Sequence, residues 1–169
     1  GSWYVEDLTE NLAAQAWKHF QDIESRGGFI EARDHVAAQI EQVRVNRAAD
    51  IAHRRTAITG VNEFPNLTEP PLPPSPSSAA VQRYAAGFEA LRDRSDAFLE
   101  RSGSRPRVLL LPLGPLAEHN IRATFAANLL ASGGIEAVNP GTVAAPDIAR
   151  ALGEAAATIA VICGTDARY

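Results

Sequence analysis

Apolar residues recur along the first fifty positions at intervals of three and four, the spacing that keeps them on one side of an α-helix. Leu12, Ala13, Ala16, Trp17, Phe20 and Ile23 follow Thr9, a residue type suited to an N-cap, and Gly27-Gly28 supplies the stop. A second run sets Ala32, Val36, Ile40 and Val43 on one face, with arginine and glutamate opposite, and reads as one long helix reaching Ile51. The period then shortens. Thr56 to Val61 (TAITGV) is β-branched and ends at Gly60 and the turn-prone Asn62, which predicts a short strand.

Between Pro65 and Ser78 (PNLTEPPLPPSPSS) lie six of the chain's eleven prolines. That density removes amide donors and favours extended polyproline II geometry, so the segment reads as a semi-rigid linker. A plain spacer is the simpler use, and a proline-motif ligand for an adaptor domain the alternative. Ser78 is the expected cap of a following helix that carries Val81, Tyr84, Phe88, Leu91 and Phe98 along one side and closes at Gly103.

The last third changes character. Arg107 to Leu113 (RVLLLPL) has a continuous apolar core, as a strand buried on both faces of a parallel sheet requires. A helix is predicted from about Ala117 to Ala131, with Ile121, Phe125 and Leu129 on its apolar side and Gly133-Gly134 at its end. Then come a short strand (IEAV), the turn Asn139-Pro140-Gly141, and a helix with Pro146 at its first position and Ile148 and Leu152 on one face. Thr158 to Cys163 (TIAVIC) is a further buried strand. The order β-α-β-α-β predicts an α/β unit with right-handed crossovers and a doubly wound parallel sheet. A flavodoxin-like sheet has five strands, and the 64 residues from Pro106 supply three, so the third strand is expected as an open edge that further chain or a partner completes.

Composition narrows the function classes. The chain has 169 residues, 46% hydrophobic and 21% charged, a balance typical of globular proteins. Sixteen basic against twenty acidic residues give a formal charge of −4, so no electrostatic footprint for nucleic acid is expected. No apolar stretch is long enough to span a membrane, and the start GSWYVEDLTE has neither the basic nor the apolar region of a secretory signal. With Cys163 the single cysteine, neither an internal disulfide nor a cysteine-rich metal cage can form, which fits the cytoplasm. The chain contains no methionine, so Gly1-Ser2 reads either as a scar left by expression or as a cut inside a longer protein.

Open α/β sheets bind ligands beyond the carboxyl ends of their strands, which directs attention to the loop after the first strand, LGPLAEHNIR. Glu118 and His119 lie there. His119 has the chemistry of a metal ligand or an acid–base group, but Leu116 and Ala117 stand where an orienting carboxylate is needed, so a solvated or helix-capping histidine is expected. A loop with one glycine makes no phosphate cradle. His19, His35 and His53 lack metal-ligand spacing and read as surface or structural groups, and the cations of His53-Arg54-Arg55 suit a helix carboxyl terminus. Cys163 reads as a small core residue and Asp166 as turn chemistry. No catalytic residue is assigned.

GSWYVEDLTENLAAQAW resembles the end of the substrate barrel of methylmalonyl-CoA mutases, where a Gly-Ser-aromatic-Tyr-Val-Glu segment precedes an Ala-rich helix. TGVNEFP at Thr59 to Pro65 is similar to the segment leaving that barrel. PRVLLLPLGPLAEHNIRATFAANLLASGGIEAV and AVICGTDARY resemble the small, non-catalytic subunit of the heterodimeric members. The resemblance implies four segments: residues 1–64 as the last helices and strand of a TIM-type barrel, 65–78 as linker, 79–105 as a connecting helix, and 106–169 as the first half of a degenerate, flavodoxin-like cobalamin-type domain. Catalytic chains of the family bind adenosylcobalamin through an Asp-x-His-x-x-Gly motif in the loop after the first strand. With Gly134 in register, His119 falls on the ligand position, but Ala117 replaces the aspartate and Arg122 the glycine. Counting from Pro106 puts Glu118 there, flanked by Leu116 and Ile121. A Ser-x-Leu segment after the third strand is matched by Cys163-Gly164-Thr165. The resemblance therefore implies no cofactor in this chain, adenosylcobalamin in a large catalytic partner subunit, and the acyl-CoA bound elsewhere in that heterodimer. Two alternatives stand beside it: a divergent cobalamin-binding chain with His119 as cobalt ligand, and a stand-alone nucleotide or acyl-CoA module.

Overall fold

The computed structural model describes residues 1–70 and 81–169. By its internal contacts the chain divides into two compact units, Gly1–Ala49 and Asp50–Tyr169. The first consists of helix α1, Trp3–Ser25, and most of helix α2, Arg33–Ala52. α1 begins earlier than Thr9 predicts, because Ser2 takes the extended N-cap conformation. Thr9 lies mid-helix, and its hydroxyl donates to the Val5 carbonyl at 2.8 Å. A Ser, Thr, Asp or Asn marks a helix start only when its own backbone is extended, and the helical backbone at Thr9 redirects the hydroxyl to the preceding turn. The stop falls as expected. Gly27 and Gly28 both take positive φ, and Ala32 beyond them is buried within the unit. His35 Nε2 meets Asp22 Oδ2 at 2.7 Å, tying α2 to α1. No residue of α1 is buried, and Trp17 and Phe20 stack on each other with centroids 5.2 Å apart. Periodicity created an apolar face here without supplying its cover.

The second unit is mixed α/β. After the last turn of α2, residues 53–65 fold into a compact loop rather than the predicted strand; a single bridge between Thr59 and Glu63 is its one β feature. Asn62 overrides the β propensity of this segment: fully buried, its amide donates to the Ile51 and Thr56 carbonyls at 3.0 and 2.9 Å, while Oδ1 accepts the Ile58 N–H at 2.7 Å. Those bonds substitute for a ladder partner. The expected linker lies partly, and its Ser78 cap wholly, outside the described residues. Helix α3 spans Ala86–Ser102, closed by Gly103 in the left-handed conformation as predicted. Val81 and Tyr84 therefore precede the helix instead of lying on it.

Strand β1 is Arg107–Pro112, helix α4 Leu116–Ser132, strand β2 Glu136–Val138, helix α5 Ile148–Glu154 and strand β3 Ala160–Cys163. A 3-10 turn, Ala145–Asp147, leads into α5 with Pro146 in its first positions, and a second, Asp166–Arg168, follows β3. The sheet is parallel in the order β2-β1-β3, with Val108 opposite Ala137 and Leu110 opposite Val161. Alternation divides β1 between two cores. Leu109 and Leu111 pack with Ala151, Ala155 and Ala157 from the α5 side. Leu110 and Cys163 pack with Ala123 and Ala126 of α4. Both sheet faces are thus covered, which is why β1 reads as an unbroken apolar run.

α4 sits with the opposite face to the sheet from the one predicted. Ala123 and Ala126 face the strands, whereas Ile121 (81% exposed), Phe125 and Leu129 point away. Small residues let the helix axis approach the sheet, so the face richest in alanine wins the sheet contact over the face with the larger side chains.

Candidate functional site

The carboxyl ends of β1 and β3 form a mouth ringed by charge pairs. Gly114, at φ +76°, turns the chain from β1 into α4; a Cβ there would lie 2.7 Å from Glu118 Oε2 and 3.0 Å from Arg168 Nε. That crowding arises because Arg168 lies across the turn, bonded through Nε to Glu118 Oε2 at 2.7 Å. Arg122 donates to Asp166 at 2.7 Å, and its guanidinium carbon lies 5.5 Å from the Tyr169 ring centre. Tyr169 Oη accepts the Gly164 N–H at 2.9 Å and donates to the Ile162 carbonyl at 3.2 Å. Residues 164–169 are thereby folded over the mouth. The adjacent Arg168 guanidinium holds the Glu118 carboxyl below its ordinary range, and Asp166 raises Arg122 further above its own.

His119 lies beneath this layer. It is 7% exposed, and its Nδ1 pairs with the Gly114 carbonyl at 3.1 Å, which makes Nδ1 the protonated nitrogen. The expectation of a solvated or capping histidine is corrected: it closes the β1–α4 turn on itself. Because α4 presents its alanine face to the sheet, the ring at position 119 comes inward with it. The residues present do not fit a cobalamin ligand set. Ala117 offers no carboxylate to the ring, and Arg122 is committed to Asp166. No group of three or more histidine, cysteine, aspartate or glutamate side chains is placed to hold a metal ion among the described residues.

The other singled-out residues are scattered. His19 is exposed, His35 is paired with Asp22, and His53 is exposed at the end of α2. Arg55 pairs with Asp50 at 3.1 Å. Cys163 is buried in the α4-side core, and burial pushes its thiol up. No helix among the described residues is long and apolar enough to cross a membrane.

Sequence reasoning missed the most constructed polar cluster. Arg54, at φ 58° and with a side chain 10% exposed, donates to Glu63 Oε1 at 2.5 Å, and its guanidinium carbon lies 5.1 Å from the centre of the Phe125 ring. Asn128 of α4 then clasps the loop with both ends of its amide: Nδ2 donates to Glu63 Oε2 at 2.7 Å, and Oδ1 accepts the Phe64 N–H at 2.8 Å. A groove of about 540 Å³ runs between them, lined by Phe64, Ile121, Phe125 and Leu129. The one signal in the sequence was that the TGVNEFP resemblance passes through Asn62, Glu63 and Phe64; Asn128 carried none, since its partners lie more than sixty residues away.

Comparison with known proteins supplies the context for this geometry. The family model described as methylmalonyl-CoA mutase matches residues 1–102. Along its whole length the chain is 67% identical to the probable methylmalonyl-CoA mutase small subunit of Mycobacterium tuberculosis (strain ATCC 25618 / H37Rv), covering 28% of that protein. It is 45% identical, again end to end, to the methylmalonyl-CoA mutase small subunit of Streptomyces virginiae, covering 29% of it. With the large subunit from the same organism it shares 41% identity over 69 residues, 38% of this chain and 9% of that protein. The chain thus spans less than a third of the length of the curated relatives it matches. Because the family model covers more than half of it and the small-subunit likeness all of it, the chain belongs to the methylmalonyl-CoA mutase family.

Proposed function

We propose that this chain is part of the small, non-catalytic subunit of an adenosylcobalamin-dependent methylmalonyl-CoA mutase, which pairs with a large catalytic subunit. That enzyme interconverts methylmalonyl-CoA and succinyl-CoA in propionyl-CoA metabolism, in the cytoplasm. The observation that carries the reading is the contrast in coverage: small subunits match from end to end, whereas a large subunit matches over 38% of the chain. The same reading takes residues 1–64 as the last helices of a TIM-type barrel, leaving it by the loop around Asn62, and 106–169 as the first half of a flavodoxin-like unit. The parallel β2-β1-β3 order, with helices on both faces, supports the second of these.

The mouth supports a structural role over cofactor binding. His119 is turned to a backbone carbonyl, and residues 164–169 are bonded back to the end of β3 and to Glu118 and Arg122 of α4, so the side chains at the strand ends are engaged by this chain's own residues. Adenosylcobalamin supplies the radical chemistry in the large subunit, and the small subunit supports that subunit's fold. The test is to purify the complete small subunit and the large subunit separately and mix them. A 1:1 complex in sedimentation, with cobalamin absorbance following the large subunit alone, is the expected result. Full mutase activity of the large subunit with no complex formed would overturn the pairing. A histidine-dependent shift in the spectrum of cobalamin added to the small subunit alone, lost in His119→Ala, would overturn the structural role of its mouth.

A further inference from the structure

Helix α3 segregates its charges. Arg94 and Arg101 are seven residues apart, which places them within about 20° of each other around the helix and about 10 Å apart along it. Asp93 and Glu100 repeat at the same interval on the next face around. Elsewhere in this region the charges are matched: Glu89 with Arg83 at 2.6 Å, Asp96 with Arg105 at 2.5 Å, and Glu136 with Arg107 at 2.8 Å. Arg94 and Arg101 are exposed and have no carboxylate within ion-pair distance among the described residues.

These two guanidiniums border a groove of about 420 Å³ between α3 and the turn from α4 into β2. Its floor is apolar, with Leu91 and Phe98 on the helix side and Pro106 and Ile135 opposite. Leu91 and Phe98 are themselves substantially exposed, so the floor is open to an incoming side chain. Its walls are fixed. Ser95, which lines the groove, donates to the Gly134 carbonyl at 2.5 Å, and Arg92 reaches the Ser132 carbonyl at 3.3 Å, so side-chain bonds hold α3 to the turn. Asp93 and Glu100 are also without an ion-pair partner among the described residues but do not line the groove, so an apolar trough lined by two unpaired arginines and by no acidic residue is complementary to an acidic, apolar surface.

We propose that this groove is a docking site for an acidic amphipathic helix of a protein partner, whose apolar side chains enter over Leu91, Phe98 and Ile135 and whose carboxylates meet Arg94 and Arg101. Helix-in-groove recognition needs anchors at intervals of three and four residues, and the length from Leu91 to Arg101 accommodates about three turns. The paired rim selects carboxylates at matching spacing, so charge sets orientation and partner choice while the apolar floor sets affinity. The proposal is independent of the pairing with a large subunit.

The probe is a labelled 14-residue synthetic helix with leucines at positions 1, 4, 8 and 11 and glutamates on one flank, tested on the full chain by fluorescence anisotropy and amide chemical shifts. A second peptide carries lysine at every glutamate position. The acidic peptide is expected to bind at least ~10-fold more tightly than the basic one, a difference of about 1.4 kcal/mol, and to shift the amides of Leu91, Phe98 and Ile135. In Arg94→Glu/Arg101→Glu the preference reverses, and in Arg94→Lys/Arg101→Lys it persists; circular dichroism of both variants checks that the fold is kept. Equal binding of the two peptides, absence of binding by the acidic one, or shifts confined to another surface would overturn the proposal. So would complete competition by millimolar inorganic phosphate, which identifies a small-anion site, or self-association lost in the Glu variant, which identifies a second copy as the occupant.

Discussion

Ser95 and Gly134 are fitted to each other: the Ser95 hydroxyl donates to the Gly134 carbonyl at 2.5 Å, and a Cβ on Gly134 would lie 2.6 Å from the Ser95 Cβ. The contact joins the middle of α3 to the turn that launches β2, and Gly134 sits there at φ +82°. Both the left-handed backbone and the closeness of α3 require glycine. Gly134→Ala is expected to cost about 2–4 kcal/mol, from backbone strain plus overpacking. Ser95→Ala, which removes the donor and keeps the space, is expected to cost about 1–2 kcal/mol. Urea denaturation of the two variants measures both, and equal losses would sink the steric part of the explanation.

Asn62, itself fully buried, holds its loop by three side-chain bonds, of which the one to the Ile51 carbonyl is buried at both ends. Asn62→Ala leaves two carbonyls and one N–H with their partners gone, and a loss of about 3 kcal/mol is expected. Asn62→Asp keeps the acceptor for Ile58 but replaces the donor with a carboxylate facing two carbonyls, so it should be at least as damaging. Thermal melts of the two variants decide it. A melting temperature for Asn62→Asp close to that of the unaltered chain would contradict the hydrogen-bond assignment.

Burial raises the Cys163 thiol, so the thiolate needed for alkylation is scarce near neutral pH and the sulfur is shielded as well. Reaction with a thiol reagent at pH 8 is expected to be at least ~100-fold slower in the native chain than in urea. Because the native form keeps its proton to higher pH than the unfolded one, the thiol's contribution to stability is full below the unfolded pKa and is lost as pH rises through the folded value. Rapid labelling of the native chain at pH 8 would contradict the buried placement.

Arg168 holds Glu118 in its ionised form. Here the sign is opposite. The native carboxylate takes up its proton at lower pH than the unfolded one, so its contribution is present above the unfolded carboxyl range and is lost as pH falls through the folded value. Carboxyl carbon chemical shifts should show Glu118 titrating below the usual range, with the midpoint rising in Arg168→Gln and in high salt. An unchanged midpoint in Arg168→Gln would mean that residues 164–169 do not lie over the mouth in solution.

The legible part of this protein was the part governed by local pattern. Three-and-four spacing located α2 and α4, the unbroken run of RVLLLPL marked β1, and Gly27, Gly103 and Gly134 fell at helix ends because few other residues tolerate the left-handed turns there. Cys163 was recognisable as a core residue because it closes an apolar strand. The site was less legible. The expectation for His119 rested on the residues before it in sequence, whereas its environment depends on which face of α4 meets the sheet.

That choice of face marks the division. By itself the sequence determined the five α-helices and the three sheet strands of the described residues, their order, and the absence of a ligand motif around His119, since these depend on intervals of a few residues and on side-chain chemistry. Only the tertiary structure decided that alanines rather than Ile121, Phe125 and Leu129 would meet the strands, and that TAITGV would wrap around Asn62 instead of pairing. It also decided that Arg54, Glu63 and Asn128 would come together from two distant segments. These outcomes follow from close packing and from satisfying buried polar groups, conditions set by neighbours remote in sequence.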